Sequence, residues 1–300
     1  MAEQTTPKTE TPTPATAPAT PNAVNTVQDP RFPTPEGPAP DNPAVTPQGN
    51  AGPSGFVPAG YRLAWADEFD YEGLPDTSKW DYQIGGYGWT AKEMQNYLRA
   101  DPDNVGVENG TLRITAHQEK AGRNPYTSTR LVTKNKAEVN RGYVEVRAQV
   151  PSGPGLRSSF WMVGDTVTNI GWPNAGEIDV FEHYGKFPTV MNAAVQTHDN
   201  SWDKRNQQGG SVIVKDCETA FNVYSCEWTD EAISFAVNGE VYYTYPAPAF
   251  KSWRNYPFRW PFYMAATLAV GGIRGPQTAP VPEAFPANMY IDYVRVYEKK

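Results

Sequence analysis

The sequence predicts an all-β fold, a two-sheet sandwich or a barrel. Three observations carry that reading. Short runs with period-two alternation recur from Tyr61 onward, turn-forming Gly, Pro, Asn or Asp residues separate them, and no long amphipathic helix intervenes. Successive side chains of a strand point to opposite faces, so such runs suit sheets that pack one face into a core. The runs are, in order, GTLRITAHQ, TSTRLVTKNK, GYVEVRAQVP, GEIDVFEH, TVMNAAVQTH, FNVYSCEWT, AISFAVNGEVYYTYP, FYMAATLAVGG and MYIDYVRVYE. In the seventh, Asn238-Gly239 separates two alternating stretches. A tight hairpin turn needs positive φ at its central residues, which Asn and Gly tolerate best.

Residues 1–58 contrast with that pattern. Stretches such as TPTPATAPATPN and DPRFPTPEGPAPDNP hold almost no large apolar side chains, and such a segment buries too little surface to offset its ordering entropy. They read as a disordered Pro/Thr/Ala-rich tether, and residues 59–300 as one β domain. The 300-residue chain has a net charge of −7, with 9 Trp and 17 Tyr. Its Lys and Arg residues are scattered and outnumbered by acids, which excludes the concentrated basic face of a nucleic-acid binder. No apolar run approaches the roughly 18 residues of a membrane span. Behind Met1, AEQTTPKTETPTP has neither the basic nor the apolar region of a secretory signal. Cys217 and Cys226 allow a small-loop disulfide or, since FNVYSCEWT alternates as a strand, buried free thiols.

One stretch reads as neither ordinary core nor ordinary surface: GEIDVFEHYG, residues 176–185. Glu177 and Asp179 share one strand face, with Ile178 and Val180 on the other. Strict alternation would then bring Phe181 to the acids and turn Glu182 away. One inserted residue, a β-bulge between Asp179 and Glu182, restores all three acids to one face and sends Phe181 elsewhere. At ~3.3 Å per residue the Cα atoms of Glu177 and Glu182 then lie about 13 Å apart. Two Glu side chains leaning inward bring their carboxyl groups to about 5–6 Å, the range of a retaining glycosidase pair. The same residue types also serve a calcium site, a surface patch or, with His183 and His198 close in sequence, a transition-metal site. Self-repulsion with no interleaved cation tells against a patch, few further oxygen ligands against calcium, and the spacing against a transition metal.

GEIDVFEHYG, preceded by GWPNA, resembles the active-site signature of glycoside hydrolase family 16 in its bulged form, Glu-x-Asp-x-x-Glu. The likeness is strongest to the family's bacterial laminarinases, which are endo-β-1,3-glucanases. It extends over residues 61–298, through WADEFDYEGLPDTSKWDY, ENGTLRITA, TSTRLVTKNKAEVNRGYVEVRAQVP as a hairpin approaching the cleft, SSFWMVG, FNVYSCEWT, FYMAATLAVGG and MYIDYVRVYE. The resemblance implies a β-jelly-roll sandwich of two curved antiparallel sheets with a concave substrate cleft. It implies Glu177 as nucleophile, Glu182 as acid/base and Asp179 as the nucleophile's assistant in a double displacement. It also implies sugar contacts from Trp161, Trp172, Trp89, Glu93 and Arg130. The chemistry then needs no cofactor, while a structural Ca2+ held by Asp292 and the backbone oxygens of Gly110 and Glu68 stands beside a metal-free capping role for Asp292. The expected partner is a polysaccharide, the expected state a monomer. The expected location, from the substrate class, is extracellular or in the cell envelope.

Some positions depart from the resembled pattern. Arg157-Ser158-Ser159 stands where laminarinase-like chains have Trp-Pro-Ala, Gln196 where they have a cleft histidine (His198 follows two residues on), and Thr267 and Ile273-Arg274 where they have Asn and Asn-Trp. These changes touch sugar subsites and leave the acids intact. Arg157 is therefore read as a sugar contact able to pair with a sulfate or carboxylate, or else as a surface substitution. The expected substrate is a β-1,3-glucan, with mixed-linkage β-1,3-1,4-glucan or a marine galactan as alternatives. A non-catalytic glycan-binding jelly roll and an ion-stabilised adhesion module remain the readings from other classes.

Overall fold

The structure, a computed structural model, describes residues 49, 52–89, 91–272 and 279–300. Of the tether read over residues 1–58, residues 1–48, 50 and 51 lie outside the described residues, as do the departures at Ile273 and Arg274. Two antiparallel eight-stranded sheets make up the domain. One runs in the order Glu240–Pro246, Ala232–Val237, Asn222–Trp228, Gly142–Gln149, Ala287–Lys299, Thr111–Ala116 and Val105–Glu108, with Tyr61–Asp67 also on Ala287–Lys299. The other runs Gln208–Ile213, Val190–Gln196, Glu177–Tyr184, Leu156–Gly164, Phe262–Val270, Arg130–Val132 and Asp81–Tyr82, with Glu138–Val139 also on Phe262–Val270. A short parallel pair, Gln95–Tyr97 with Tyr126–Ser128, flanks them. Helix is confined, among the described residues, to Val167–Ile170 and a 3-10 turn at Pro282–Ala284.

The turn chemistry is as the residues require. Asn238 and Gly239 both take positive φ, 48° and 82°, between Ala232–Val237 and Glu240–Pro246. The stretch TSTRLVTKNKAEVNRGYVEVRAQVP, expected as one hairpin, instead crosses between the sheets: Arg130–Val132 belongs to one and Gly142–Gln149 to the other. Arg141 and Gly142, at φ 67° and 131°, sit where the chain makes that crossing.

Facing side chains of the two sheets form one large core. Its link to the acid strand is Phe181, fully buried, whose ring centroid lies 4.7 Å from that of Tyr224 on the opposite sheet. Burying a side chain of this size stabilises the fold by roughly 1.5–3 kcal/mol, so the register of Glu177–Tyr184 is fixed from the core side. Cys217 and Cys226 are free thiols buried in the same core, where burial pushes both thiols far up from their usual range. Residues 52–54 lie against the other sheet: Arg295 donates to the Gly52 carbonyl at 3.2 Å, and Ser54 donates to Glu145 at 2.7 Å.

Candidate active site

The acid strand, Glu177–Tyr184, carries a bulge at Val180. Against Leu156–Gly164 the partners run Ser159 with Glu182, Phe160 with Phe181, then Trp161 with Asp179 and Val163 with Glu177, so Val180 is the extra residue. The pairing with Val190–Gln196 shifts at the same place. Ile178, Val180 and Phe181 all go to the core. Glu177, Asp179 and Glu182 are thereby left on the other face, all buried at 3 % exposure or less. Glu177 and Asp179 line a cavity of about 260 Å³.

At one end of the strand the acids are held by neutral donors. Trp172 Nε1 donates to Glu177 Oε2 at 2.9 Å. Gln196 Nε2 donates to Glu177 Oε1 at 3.0 Å and to Asp179 Oδ2 at 3.2 Å. The Gln196 amide is itself oriented, since its Oε1 accepts from the Trp202 backbone N–H at 2.8 Å. One amide thus joins two like-charged carboxylates and fixes their spacing.

At the other end the donor is a cation. Arg157 Nη1 donates to Glu182 Oε1 at 2.9 Å while Nη2 donates to Glu93 Oε1 at 2.6 Å. Arg157 lines the cavity, where a sugar contact was expected, with its side chain only 4 % exposed and its guanidinium bridging two buried carboxylates. The second oxygen of Glu93 accepts from Gln95 Nε2 at 2.8 Å and the Tyr97 hydroxyl at 3.2 Å, with Arg130 Nη2 at 3.6 Å. Burial, reinforced by Glu93, raises the Tyr97 phenol far above its usual range and keeps it a neutral donor. Gln95 and Tyr97 were not singled out in the sequence. The signal that finds them is alternation: Glu93, Gln95 and Tyr97 recur at every second position of EMQNYL and converge on one network.

The cavity wall is aromatic. Trp89, Trp161 and Trp172 line it with Glu93, Arg130 and Tyr263. Arg130 lies over the rings of Trp89, Tyr97 and Trp161 at 4.2, 4.7 and 5.5 Å, a cation sandwiched by π faces. Trp161 Nε1 donates to Thr267 Oγ1 at 2.9 Å, so Thr267 orients a cavity wall. The Trp89 Nε1 is buried without a hydrogen-bond partner among the described residues, and Trp89 takes a φ of 49°, rare for a bulky residue. Burial raises the Tyr263 phenol, only partly countered by the hydrogen bond from Gln83.

His198 is not brought to the acids. It lies within a turn closed by the Thr197 N–H to the Asn200 carbonyl at 2.6 Å, and its ring meets Asp199 at 3.0 Å and Trp253 edge-on at 5.7 Å. His183 faces the other way, between the Val190 carbonyl and Glu218, each at 3.0 Å. The two histidines therefore do not join the acids around a transition metal.

The possible calcium ligands lie elsewhere. A Cβ on Gly49 would run into the Gly110 carbonyl oxygen and Asp292 Oδ1, so hard oxygen donors of the kind calcium takes converge there. Asp292 Oδ2 accepts from Arg147 at 2.6 Å. Glu68 is engaged through its carboxylate, which is gripped by Arg295 at 2.8 and 2.7 Å. Among the described residues, no group of three or more His, Cys, Asp or Glu is placed to hold a metal.

Comparison with known proteins places this geometry. The family model described as "Beta-porphyranase A-D, GH16 domain" matches residues 63–299. The chain belongs to glycoside hydrolase family 16. A β-glucanase of Rhodothermus marinus is 44 % identical over 243 residues, covering 79 % of this chain and 85 % of that protein. The X-ray structure of the laminarinase from Rhodothermus marinus superposes with a TM-score of 0.78 at 43 % identity, covering 80 % of this chain and 98 % of that one. A keratan-sulfate endo-1,4-β-galactosidase of Sphingobacterium multivorum is 31 % identical over 246 residues, 79 % of this chain and 55 % of that protein. The two-sheet architecture is thus the family 16 jelly roll, and the chain is a glycoside hydrolase.

Proposed function

We propose that this family 16 enzyme is a retaining endo-β-1,3-glucanase acting by double displacement. The observation that carries the reading is the Val180 bulge, which gathers Glu177, Asp179 and Glu182 on one face, with Glu177 and Asp179 lining an aromatic cavity. Glu177 attacks the anomeric carbon as Glu182 protonates the departing oxygen. Glu182 then takes a proton from water as it displaces Glu177, and two inversions give net retention. Asp179 shares the Gln196 amide with Glu177 and is read as holding it in line. Trp89, Trp161 and Trp172 offer ring faces to the apolar C–H faces of sugars. The β-1,3 linkage is favoured by the Rhodothermus glucanase and laminarinase.

A galactan is the second reading, favoured by the porphyranase description and the galactosidase relative. Incubation with laminarin, lichenan, agarose, porphyran and carrageenan, scored by reducing ends, separates the two. The glucanase reading expects laminarin to be cut fastest, with β-anomeric product seen first by proton NMR. Preference for a galactan overturns the substrate, and α-anomeric first product overturns the mechanism.

The chemistry asks for no cofactor. Calcium, where bound, would be held by Asp292 and the Gly110 carbonyl, with Arg147 offsetting part of the charge. Chelation is then expected to lower the melting temperature by about 5 °C with kcat unchanged; an unchanged melting temperature removes the metal from this account. A polymeric substrate favours an extracellular or cell-envelope location and a working monomer, which secretion assays and sedimentation test.

A further inference from the structure

The proton of a carboxylic acid has two oxygens to choose between, and the surroundings of Glu182 distinguish them. A guanidinium donates hydrogen bonds and accepts none, and it stays charged throughout the working pH range. Arg157 Nη1 stands 2.9 Å from Glu182 Oε1. A carbonyl-type oxygen accepts that bond better than a hydroxyl oxygen does, so an acidic proton on Glu182 belongs on Oε2.

We propose that Arg157 is a positioning residue for the acid/base, reserving Glu182 Oε1 so that the transferable proton is carried on Oε2. The proposal deepens the function proposed above and rests on Glu182 being the acid/base. In the first half-reaction a Glu177 oxygen bonds to the anomeric carbon as the glycosidic C–O bond breaks. The Oε2 proton passes to the leaving oxygen, its bonding pair stays on Glu182, and the new carboxylate finds Oε1 already on a cation. In the second half-reaction water attacks the anomeric carbon, the Glu177 ester bond breaks and the water proton returns to Oε2. Atoms and charge are restored.

The rest of the network suits this task. Glu93 takes the other arm of Arg157 at 2.6 Å, so Glu182 faces a nearly neutral pair in place of a bare cation. Glu93 is fixed by Gln95 and Tyr97, and Gln95 Oε1 accepts from the Val270 backbone N–H at 2.8 Å, tying the assembly to the central strand Phe262–Val270. Each bond to a charged group in such a buried site is strong and directional. The guanidinium therefore has one geometry, and through it Glu182 does too.

The test separates loss of acid/base function from loss of structure. Wild type, Arg157→Met, Glu93→Gln and Glu182→Ala are assayed on laminarin and on a 2,4-dinitrophenyl β-laminaribioside with and without azide. The activated leaving group needs no acid and azide needs no base. Arg157→Met is expected to lose about 10–100-fold in kcat on laminarin with KM within about threefold. On the aryl glycoside with azide it should stay within about threefold of wild type and release β-glycosyl azide. Glu93→Gln should show the same pattern at about 3–10-fold, and it decides the matter if melting shows Arg157→Met unfolded. An equal loss of both reactions, a rise in KM alone, or an unaffected Glu93→Gln overturns the proposal. If Glu182→Ala shows the azide pattern and Arg157→Met does not, the proposal alone falls. If Glu182→Ala lacks it, the acid/base assignment falls and takes the proposal with it.

Discussion

The two ends of the acid strand solve one problem differently. Glu177 is held by an indole and an amide, both neutral, and shares the amide with Asp179. Glu182, five positions on, is held by a guanidinium that another carboxylate anchors. A neutral donor orients a carboxylate while leaving its charge for attack on carbon; a cation orients it and stabilises the charge that appears when it gives up a proton. The difference in holders matches a difference in role on one face of one strand, and it depends on the bulge that puts both on that face.

Shifting the alternation by one residue is therefore the largest perturbation. An Ala inserted between Val180 and Phe181 adds a residue beyond the bulge and turns Glu182 toward the core, where a carboxylate without a partner costs several kcal/mol. The expected result is loss of detectable hydrolysis and a collapse of the thermal transition. Retained activity would show that the face of Glu182 is irrelevant to catalysis. Replacing Phe181 with Ala keeps the bulge and empties its core anchor. It should cost about 3–5 kcal/mol of stability by denaturant titration, with whatever folds still cutting at near the wild-type rate.

Gln196→Met breaks the neutral end alone. It leaves Glu177 and Asp179 side by side without their shared donor, and a lost hydrogen bond to a charged group is worth about 1.5–3 kcal/mol, roughly 10–100-fold in kcat/KM. Unlike changes around Glu182, this loss should be as large on an activated aryl glycoside as on laminarin, because the nucleophile acts on both. A loss confined to laminarin would erase the proposed division between the two ends.

Much of the fold, and the strand at its centre, was legible because period two and turn residues are local signals. The bulge was legible for the same reason, since three acids at spacings of two and three fit one face only with an extra residue between. The partners of those acids were not. Arg157 read as a sugar contact or a surface substitution, because the sequence does not say that Glu93, 64 residues upstream, meets it beside Glu182. The transition-metal alternative set His198 beside the acids because the contacts that hold its ring to Asp199 and Trp253 depend on loop packing. The supposed hairpin at TSTRLVTKNKAEVNRGYVEVRAQVP failed similarly, since alternation marks a strand without naming its sheet.

The smallest expected effect isolates a single hydrogen bond at the neutral end. Trp172→Phe keeps an aromatic face on the cavity and removes only the N–H that reaches Glu177 Oε2 at 2.9 Å. Gln196 still holds the other oxygen at 3.0 Å, so the nucleophile stays restrained there. Trp172 reaches one carboxylate where Gln196 bridges two, so its loss falls at the low end for a bond to a charged group, about 1.5 kcal/mol or roughly 10-fold. That loss belongs in kcat if the indole N–H serves the nucleophile, and in KM if Trp172 acts chiefly as a sugar platform. Trp172→Ala removes both contributions and should raise KM as well. Comparing the two variants by steady-state kinetics on laminarin separates orientation of Glu177 from stacking of sugar. A Phe variant indistinguishable from wild type would mean that Gln196 suffices to orient Glu177.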